Sequence, residues 1–438
     1  MPKRLKYIAL LFILTSSFVS FGQNELELKN QKVIEQLSAG QFKPLHKSFS
    51  KDFKKSVKAI QLRMIWTGVT KAFGEFDRSG EFEVIEEEGS IIYNTPLYFE
   101  EGSLMLKLTF TNDEISGIWL SPQEYQPPPE TLGVAYGKER VRIKTDTFDL
   151  PGEILIPRTC NQCPLVVLVH GSGPNDMDIS IGPNKVFKDI AMLLANEGIA
   201  TLRYDKRSKV YPALFEKDKP FTINEETVDD ALTAVNIAKS FEFVDSSKIF
   251  VLGHSLGAYA APLIASKDQS LAGAIMMAGP DRHISDLLPE QYRYIYGLDG
   301  KLSWKEKRKV KRIDKTAAQI NSLPNPDVKK LKSAMGYWPL EFFQDLATYR
   351  PSEVIRNQQV PFLILQGVQD YQVSYERDFK LLQSRLSDLD YVAFEALPKL
   401  DHLMMYSEDF SKPTDYVSPR NVSPEFIKAV TSWILGSD

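Results

Sequence analysis

A serine hydroxyl becomes a nucleophile when a sharp turn exposes it and a base takes its proton. The stretch from Ile249 to Ala258 has the form of such a turn. An apolar run ends in Gly253-His254-Ser255-Leu256-Gly257, and small residues at helical spacing follow at Ala258, Ala260, Ala261, Leu263 and Ile264. Strand, tight turn and helix is the context in which Gly-x-Ser-x-Gly presents a nucleophile. The two glycines remove Cβ atoms that would collide with the neighbouring strand or helix. Ser255 is therefore the candidate nucleophile.

The base follows by elimination, because the chain has only five histidines. His46 lies outside the region where strands and helices alternate, His170 and His254 belong to the turns after two apolar strands, and His283 opens a long helical insertion. His402 is left, just past the last strand in Leu400-Asp401-His402-Leu403. For the acid, the apolar run Phe362-Leu363-Ile364-Leu365 leads through Gln366 and Gly367 to Asp370. A carboxylate there can hold the imidazole tautomer and stabilise the imidazolium formed in reaction. Asp401 is the poorer orienter, since adjacent side chains diverge.

The third requirement is a set of donors for a developing oxyanion. Leu165–Val169 runs into His170-Gly171-Ser172-Gly173-Pro174, a glycine-rich loop after a buried strand. The expected donors are the amides of Leu256 and Ser172, with Gly171 adjacent; each such donor lowers a barrier by ~2.7–4 kcal/mol. His170 is read as bracing this loop, and with Tyr292 and Trp338 it is a candidate pocket residue. For Tyr292, Tyr296, Tyr337 and Trp338, shaping an acyl or aromatic pocket and ordinary packing both stand. Arg203-Tyr204-Asp205-Lys206-Arg207 reads either as a pocket rim or as a salt-bridged loop. No metal or cofactor is expected in this chemistry.

These residues need a scaffold that brings distant segments to one edge. From about residue 131 the pattern gives two antiparallel strands, Val141–Lys144 and Gly152–Ile156, then alternating strands and helices to a last helix over Pro424–Leu435. Such alternation predicts an α/β domain, residues 126–438, with a mostly parallel sheet covered on both faces. The alternation breaks between Gly279 and Val360, where helical patterns over Ile284–Tyr296, Ser303–Leu323 and Leu340–Tyr349 predict a cap at about 281–355. Lys301–Lys315 carries eight Lys and Arg; it is either a solvated face or a dock for an anion.

Residues 23–125 form a separate small α+β unit. Helical spacing at Val33–Leu37 and across Phe53–Phe73 precedes strands at Phe82–Ile85, Ser90–Tyr93, Leu97–Phe99, Leu104–Phe110 and Ile115–Leu120. The proline-rich stretch from Ser121-Pro122 to Pro129 marks the boundary. At the start, Lys3, Arg4 and Lys6 precede an apolar run from Tyr7 to about Val19, which predicts a signal peptide over 1–22. An uncleaved anchor is the alternative. Cleavage would take the net charge from −4 to −7, leave no membrane span, and place the protein in a periplasm or outside the cell. An acidic chain of this kind is not expected to bind nucleic acid. Cys160 and Cys163 are the only cysteines, too few for a zinc site; a local disulfide or free loop thiols are expected.

With these residues in place, residues ~131–438 resemble the α/β-hydrolase family. They are similar to secreted bacterial esterases related to the dienelactone-hydrolase and prolyl-oligopeptidase groups. His170-Gly171-Ser172-Gly173-Pro174, Tyr204-Asp205-Lys206-Arg207, Gly253–Gly257, Gly367–Asp370 and Asp401-His402 fall in the family's order. Ser208-Lys209 departs from it, since similar proteins often carry glycine after Asp-Lys-Arg. The first unit is loosely similar to NTF2-like domains. The resemblance implies a metal-free serine hydrolase of carboxylic esters, with a short-chain or acetyl ester as its small-molecule substrate. A peptidase or acyltransferase with the same triad, and a non-catalytic binding protein, are the alternatives. The oligomeric state is not indicated.

Overall fold

The computed structural model describes residues 25–87, 89–145, 147–215, 219–323 and 338–436. The segment read as a signal peptide, 1–22, and Tyr337 lie outside them. No described helix is long and apolar enough to cross a membrane. The chain divides into two compact units, one up to Glu124 with Val417–Pro419, the other Tyr125–Tyr416 with Arg420–Asp438.

The larger unit is built on a sheet of eight strands. In chain order these are β1 (Tyr136–Lys144), β2 (Asp149–Pro157), β3 (Cys163–Val169), β4 (Ala200–Tyr204), β5 (Val244–His254), β6 (Gly273–Met277), β7 (Phe362–Gly367) and β8 (Val392–Leu397). Their spatial order is β8-β7-β6-β5-β3-β4-β2-β1. β2 runs antiparallel to both its neighbours, and β4-β3-β5-β6-β7-β8 are parallel throughout.

The central strands read as unbroken apolar runs because both faces are covered. Successive side chains alternate across a strand. Leu165, Val167 and Val169 of β3 join one core with Ile249 and Val251, while Val166 and Leu168 join the other with Phe250 and Leu252. On the first face lie α2 (Asp229–Ala238), through Ala231, Ala234, Val235 and Ala238, and α3 (Leu256–Lys267), through Ala258, Ala261, Ile264 and Ala265. The second face is closed by α1 (Val186–Asn196) and α9 (Pro424–Leu435), which contribute Phe187, Ile190, Leu194, Phe426 and Val430. Small alanines on α2 and α3 let those helices sit close to the sheet. Cys160 and Cys163 are joined in a disulfide at the start of β3.

Between β6 and β7 lie the cap helices α4 (Ile284–Gly297), α5 (Trp304–Ile320), α6 (Leu340–Asp345) and α7 (Pro351–Arg356). After β7 the chain makes a π-helical turn at Tyr375–Phe379 that leads into α8 (Lys380–Leu386). Likewise Asn224–Val228 is a π-helical turn leading into α2.

The smaller unit has a helix over 25–38, two short helices, one at Ala59–Phe73, and a five-stranded antiparallel sheet. Two expectations are corrected here. The helix read across Phe53–Phe73 is broken, because Val57 is extended and Lys58, whose N–H donates to Gln61 Oε1 at 2.7 Å, leads a fresh start at Ala59. The strands read as Ser90–Tyr93 and Leu97–Phe99 are one strand, Ser90–Phe99, despite Pro96. Pro96 accepts from Gly80 N–H, and its missing N–H faces the same side, where partner strands stop at Ser79 and resume at Glu83. A proline is tolerated where no ladder donor is required.

α4 begins at His283, whose Nδ1 accepts the Ser285 N–H at 3.2 Å, so the ring is 4% exposed and serves as an N-cap. Burial pushes this imidazole down to about 4 from the usual 6.5. In the unfolded chain it protonates near pH 6.5, so between those values the unfolded state holds the extra proton and stability falls as pH drops. A His283→Asn variant keeps a capping acceptor without that titration. From pH 7 to pH 4, wild type is expected to lose roughly 3 kcal/mol relative to the variant, measured by urea unfolding at each pH. A pH-independent difference would contradict this role.

Candidate active site

β5 ends at His254 and α3 starts at Leu256, which leaves Ser255 alone to make the turn. It does so at φ 55° and ψ −111°, a conformation that costs a non-glycine residue about 1–3 kcal/mol. The turn is held by Ser255 N–H donating to Met277 O at 3.0 Å and Tyr259 N–H donating to Ser255 O at 2.9 Å. A Cβ on Gly253 would lie 2.2 Å from Gly257 O, and one on Gly257 would lie 2.2 Å from Val169 O and 2.6 Å from His170 O. Both glycines are thus required by close approach, the second because the elbow rests directly on the turn after β3. Leu256 and Gly257 open α3, and the first amides of a helix have no intrahelical acceptor.

The expected acid and base, Asp370 and His402, lie in the turns after β7 and β8. His402 Nδ1 lies 2.7 Å from Asp370 Oδ2, with the two residues 3% and 0% exposed. Asp370 is itself fixed: Oδ1 accepts from Gln372 N–H at 2.6 Å and Val373 N–H at 3.0 Å, and Oδ2 from Gln366 Nε2 at 2.9 Å. With Nδ1–H donated to the carboxylate, the lone pair of His402 sits on Nε2. Asp401 takes a different part. Its Oδ1 accepts from Leu403 and Met405 N–H, and its Oδ2 from Arg420, so it folds the loop that carries His402.

That loop lies against the elbow. His254, next to the serine, donates Nε2–H to His402 O at 3.0 Å, and the two rings are 4.7 Å apart. Burial, reinforced by His402, holds His254 well below the usual imidazole range, so it is a neutral donor.

After β3, Gly171 packs on the elbow, where a Cβ would meet His254 and Ser255 at 3.2–3.3 Å. Ser172, Ser255 and Leu256 border one cavity of about 60 Å³, whose other walls include Tyr259, Ile284, Leu287 and Trp338. The expected pocket residues part company here. Trp338 lines the cavity, stacked on Phe342 at 5.3 Å. His170 and Tyr292 are not among the lining residues. His170 is buried between Phe187 and Tyr204, and Tyr292 packs beside Tyr296 beneath Lys309. The His170 ring is pushed down to about 3, first by burial and then by the Lys206 charge, which suits it to bracing the loop.

Arg203, Lys206 and Arg207 are 4%, 2% and 3% exposed. Arg203 pairs with Glu153 and Asp178, Lys206 with Glu226, and Arg207 with Asp230. The salt-bridged reading of this segment therefore describes it. Two residues that hold this site, Gln366 on Asp370 and Asn175 on Gly171 O, were not among those expected along the chain. A polar residue closing the apolar run of β7 was a signal for Gln366; nothing local marked Asn175.

A family model described as BD-FAE matches residues 153–386, and one described as a protein of unknown function, DUF3887, matches residues 30–118. Esterase EstD of Thermotoga maritima is 31% identical over 408 residues, covering 92% of this chain and 93% of that protein. Among solved structures, Est1E from Butyrivibrio proteoclasticus aligns at a TM-score of 0.43 and 19% identity over 68% of this chain and 98% of its own. An esterase from Pyrococcus furiosus aligns at 0.45 and 15%, over 72% and 98%. With its matched model spanning more than half the chain and a full-length relative above 30% identity, the chain belongs to the BD-FAE family of α/β-hydrolases, as a homologue of Esterase EstD.

Proposed function

We propose that the protein hydrolyses carboxylic esters through an acyl-enzyme on Ser255, with His402 as general base and acid and Asp370 as its orienting carboxylate. The observation that carries this reading is the Asp370–His402 pair at 2.7 Å, on a loop bonded to the residue beside Ser255. In the first step His402 Nε2 takes the Ser255 proton as the hydroxyl oxygen attacks the acyl carbon. Charge gathers on the former carbonyl oxygen, which the amides of Leu256 and Ser172 receive. The imidazolium, stabilised by Asp370, then protonates the leaving alcohol. Water attacks the acyl-enzyme by the same route in reverse, releasing the acid.

Ser255→Ala is expected to abolish turnover of p-nitrophenyl acetate and labelling by a fluorophosphonate, with an unchanged circular dichroism spectrum. Asp370→Asn, which retains shape but favours the wrong tautomer, is expected to lower kcat by about 10³–10⁴-fold. Wild-type rates in either variant would remove the assignment.

The acyl group proposed is short. A cavity of about 60 Å³ walled by Tyr259, Ile284, Leu287 and Trp338 suits acetyl to butyryl chains. Replacing Trp338 by Ala opens that wall, so the ratio of kcat/KM for octanoyl over acetyl esters is expected to rise by about tenfold or more. A chain-length series on both proteins measures it, and an unchanged ratio would place the acyl group elsewhere.

Export to the periplasm or exterior is part of the proposal, supported by the basic-then-apolar start and by the Cys160–Cys163 disulfide. Cell fractionation with N-terminal sequencing is expected to find a mature chain starting near Gln23; an intact Met1 in a cytosolic fraction would overturn it.

A further inference from the structure

Lys206 is a costly residue to bury. Its side chain is 2% exposed and its partner Glu226 is 0% exposed. A buried ion pair is weak as a stabilising device, since apolar residues of similar volume often serve as well or better. Its position here suggests a different use.

Besides Glu226 Oε1 at 2.5 Å, Lys206 Nζ donates to the carbonyl oxygen of Gly171 at 2.8 Å. Asn175 Nδ2 donates to the same oxygen at 3.2 Å, and to Ser172 O and Gly173 O at 3.0 and 3.2 Å. The two holders are themselves tied, because Lys206 N–H donates to Asn175 O at 3.1 Å. The carbonyl of Gly171 and the N–H of Ser172 belong to one planar trans peptide, so they point in opposite directions. Drawing that oxygen toward Lys206 turns the Ser172 N–H away from it, and Ser172 borders the cavity with Ser255 and Leu256. Among the described residues, the Ser172 N–H has no protein acceptor.

We propose that Lys206 is a positioning residue of the oxyanion site: held by Glu226, it pins the Gly171–Ser172 peptide so that the Ser172 N–H faces the acyl oxygen. This rests on the serine-esterase reading above. The charge also polarises the peptide, since a hydrogen bond accepted at the carbonyl strengthens the N–H as a donor. Lys206 thus acts through the backbone, without touching substrate. Asn175 is the uncharged second clamp on the same oxygen.

The test uses the full chain with Lys206→Met, Asn175→Ala and the double variant. Rates on p-nitrophenyl acetate are compared with inhibition by an alkyl trifluoromethyl ketone, which adds to the serine and carries an oxyanion. Lys206→Met is expected to lower kcat by about 10–100-fold, less than outright loss of a donor, with KM within about twofold. Ketone affinity should fall by a similar factor. Asn175→Ala should lose less, and the double variant less than the product, because both clamps hold one oxygen. Should Lys206→Met fail to fold, the half-buried Asn175 carries the same comparison of kcat with ketone affinity. A fall in kcat without a matching fall in ketone affinity, or no fall at all, overturns the proposal. Ser255→Ala run alongside separates the two ideas: if that variant stays active the esterase reading fails, and if it is dead while the clamp variants behave as wild type only the positioning role fails.

Discussion

Two turns, at the ends of β5 and β7, sit closer to their neighbours than side chains permit. The backbone at Gly257 rests on the carbonyls of Val169 and His170, and Gly367 lies where a Cβ would stand 2.3 Å from Leu400 O and 2.5 Å from Asp401 O. These are contacts of main chain with main chain, which have little freedom to yield. They set Ser255 against the loop after β3 and the turn of Asp370 against the loop of His402. A single methyl group at either place would push apart groups whose chemistry depends on fractions of an ångström.

The remaining freedom is removed by polar groups buried around the same edge. Gln366 and two amides hold Asp370, Asp401 with Arg420 shapes the loop of His402, and His254 ties that loop to the elbow. Both carboxylates and Gln366 are satisfied, whereas His254 Nδ1 and Arg420 Nε have no partner among the described residues; such a buried network selects one arrangement even where it adds little net stability. The strained backbone of Ser255 is kept in place by its surroundings, as expected where strain serves presentation of a reactive group. Stability comes chiefly from elsewhere, from the two apolar layers on either side of the sheet.

Much of this was legible along the chain. The elbow could be read because Gly-x-Ser-x-Gly sat between an unbroken apolar run and small residues at helical spacing, both local signals of strand and helix. The mostly parallel sheet, the cap between β6 and β7, and the candidates Asp370 and His402 followed from position relative to apolar runs. Local reading erred where a distant partner decided the outcome. Ser90–Tyr93 and Leu97–Phe99 were read as two strands, yet the missing donor of Pro96 between them faces a gap between two other strands. His170 and Tyr292 were candidate pocket residues, but ring packing with Phe187, Tyr204 and Tyr296 keeps both out of the cavity lining.

The sequence by itself determined which residues could react, because residue type and the period of apolar positions are properties of short segments. Asp370 could be preferred to Asp401 along the chain, but what each carboxylate binds was decided only in three dimensions. Asp370 and Asp401 are both carboxylates near the right place, and hydrogen bonding assigns one to His402 and the other to its loop. The burial of Lys206 on the carbonyl of Gly171, 35 residues away, belongs to the same class. No local pattern encodes the direction of a peptide plane, since that direction is set by whichever donor the folded chain brings to its oxygen.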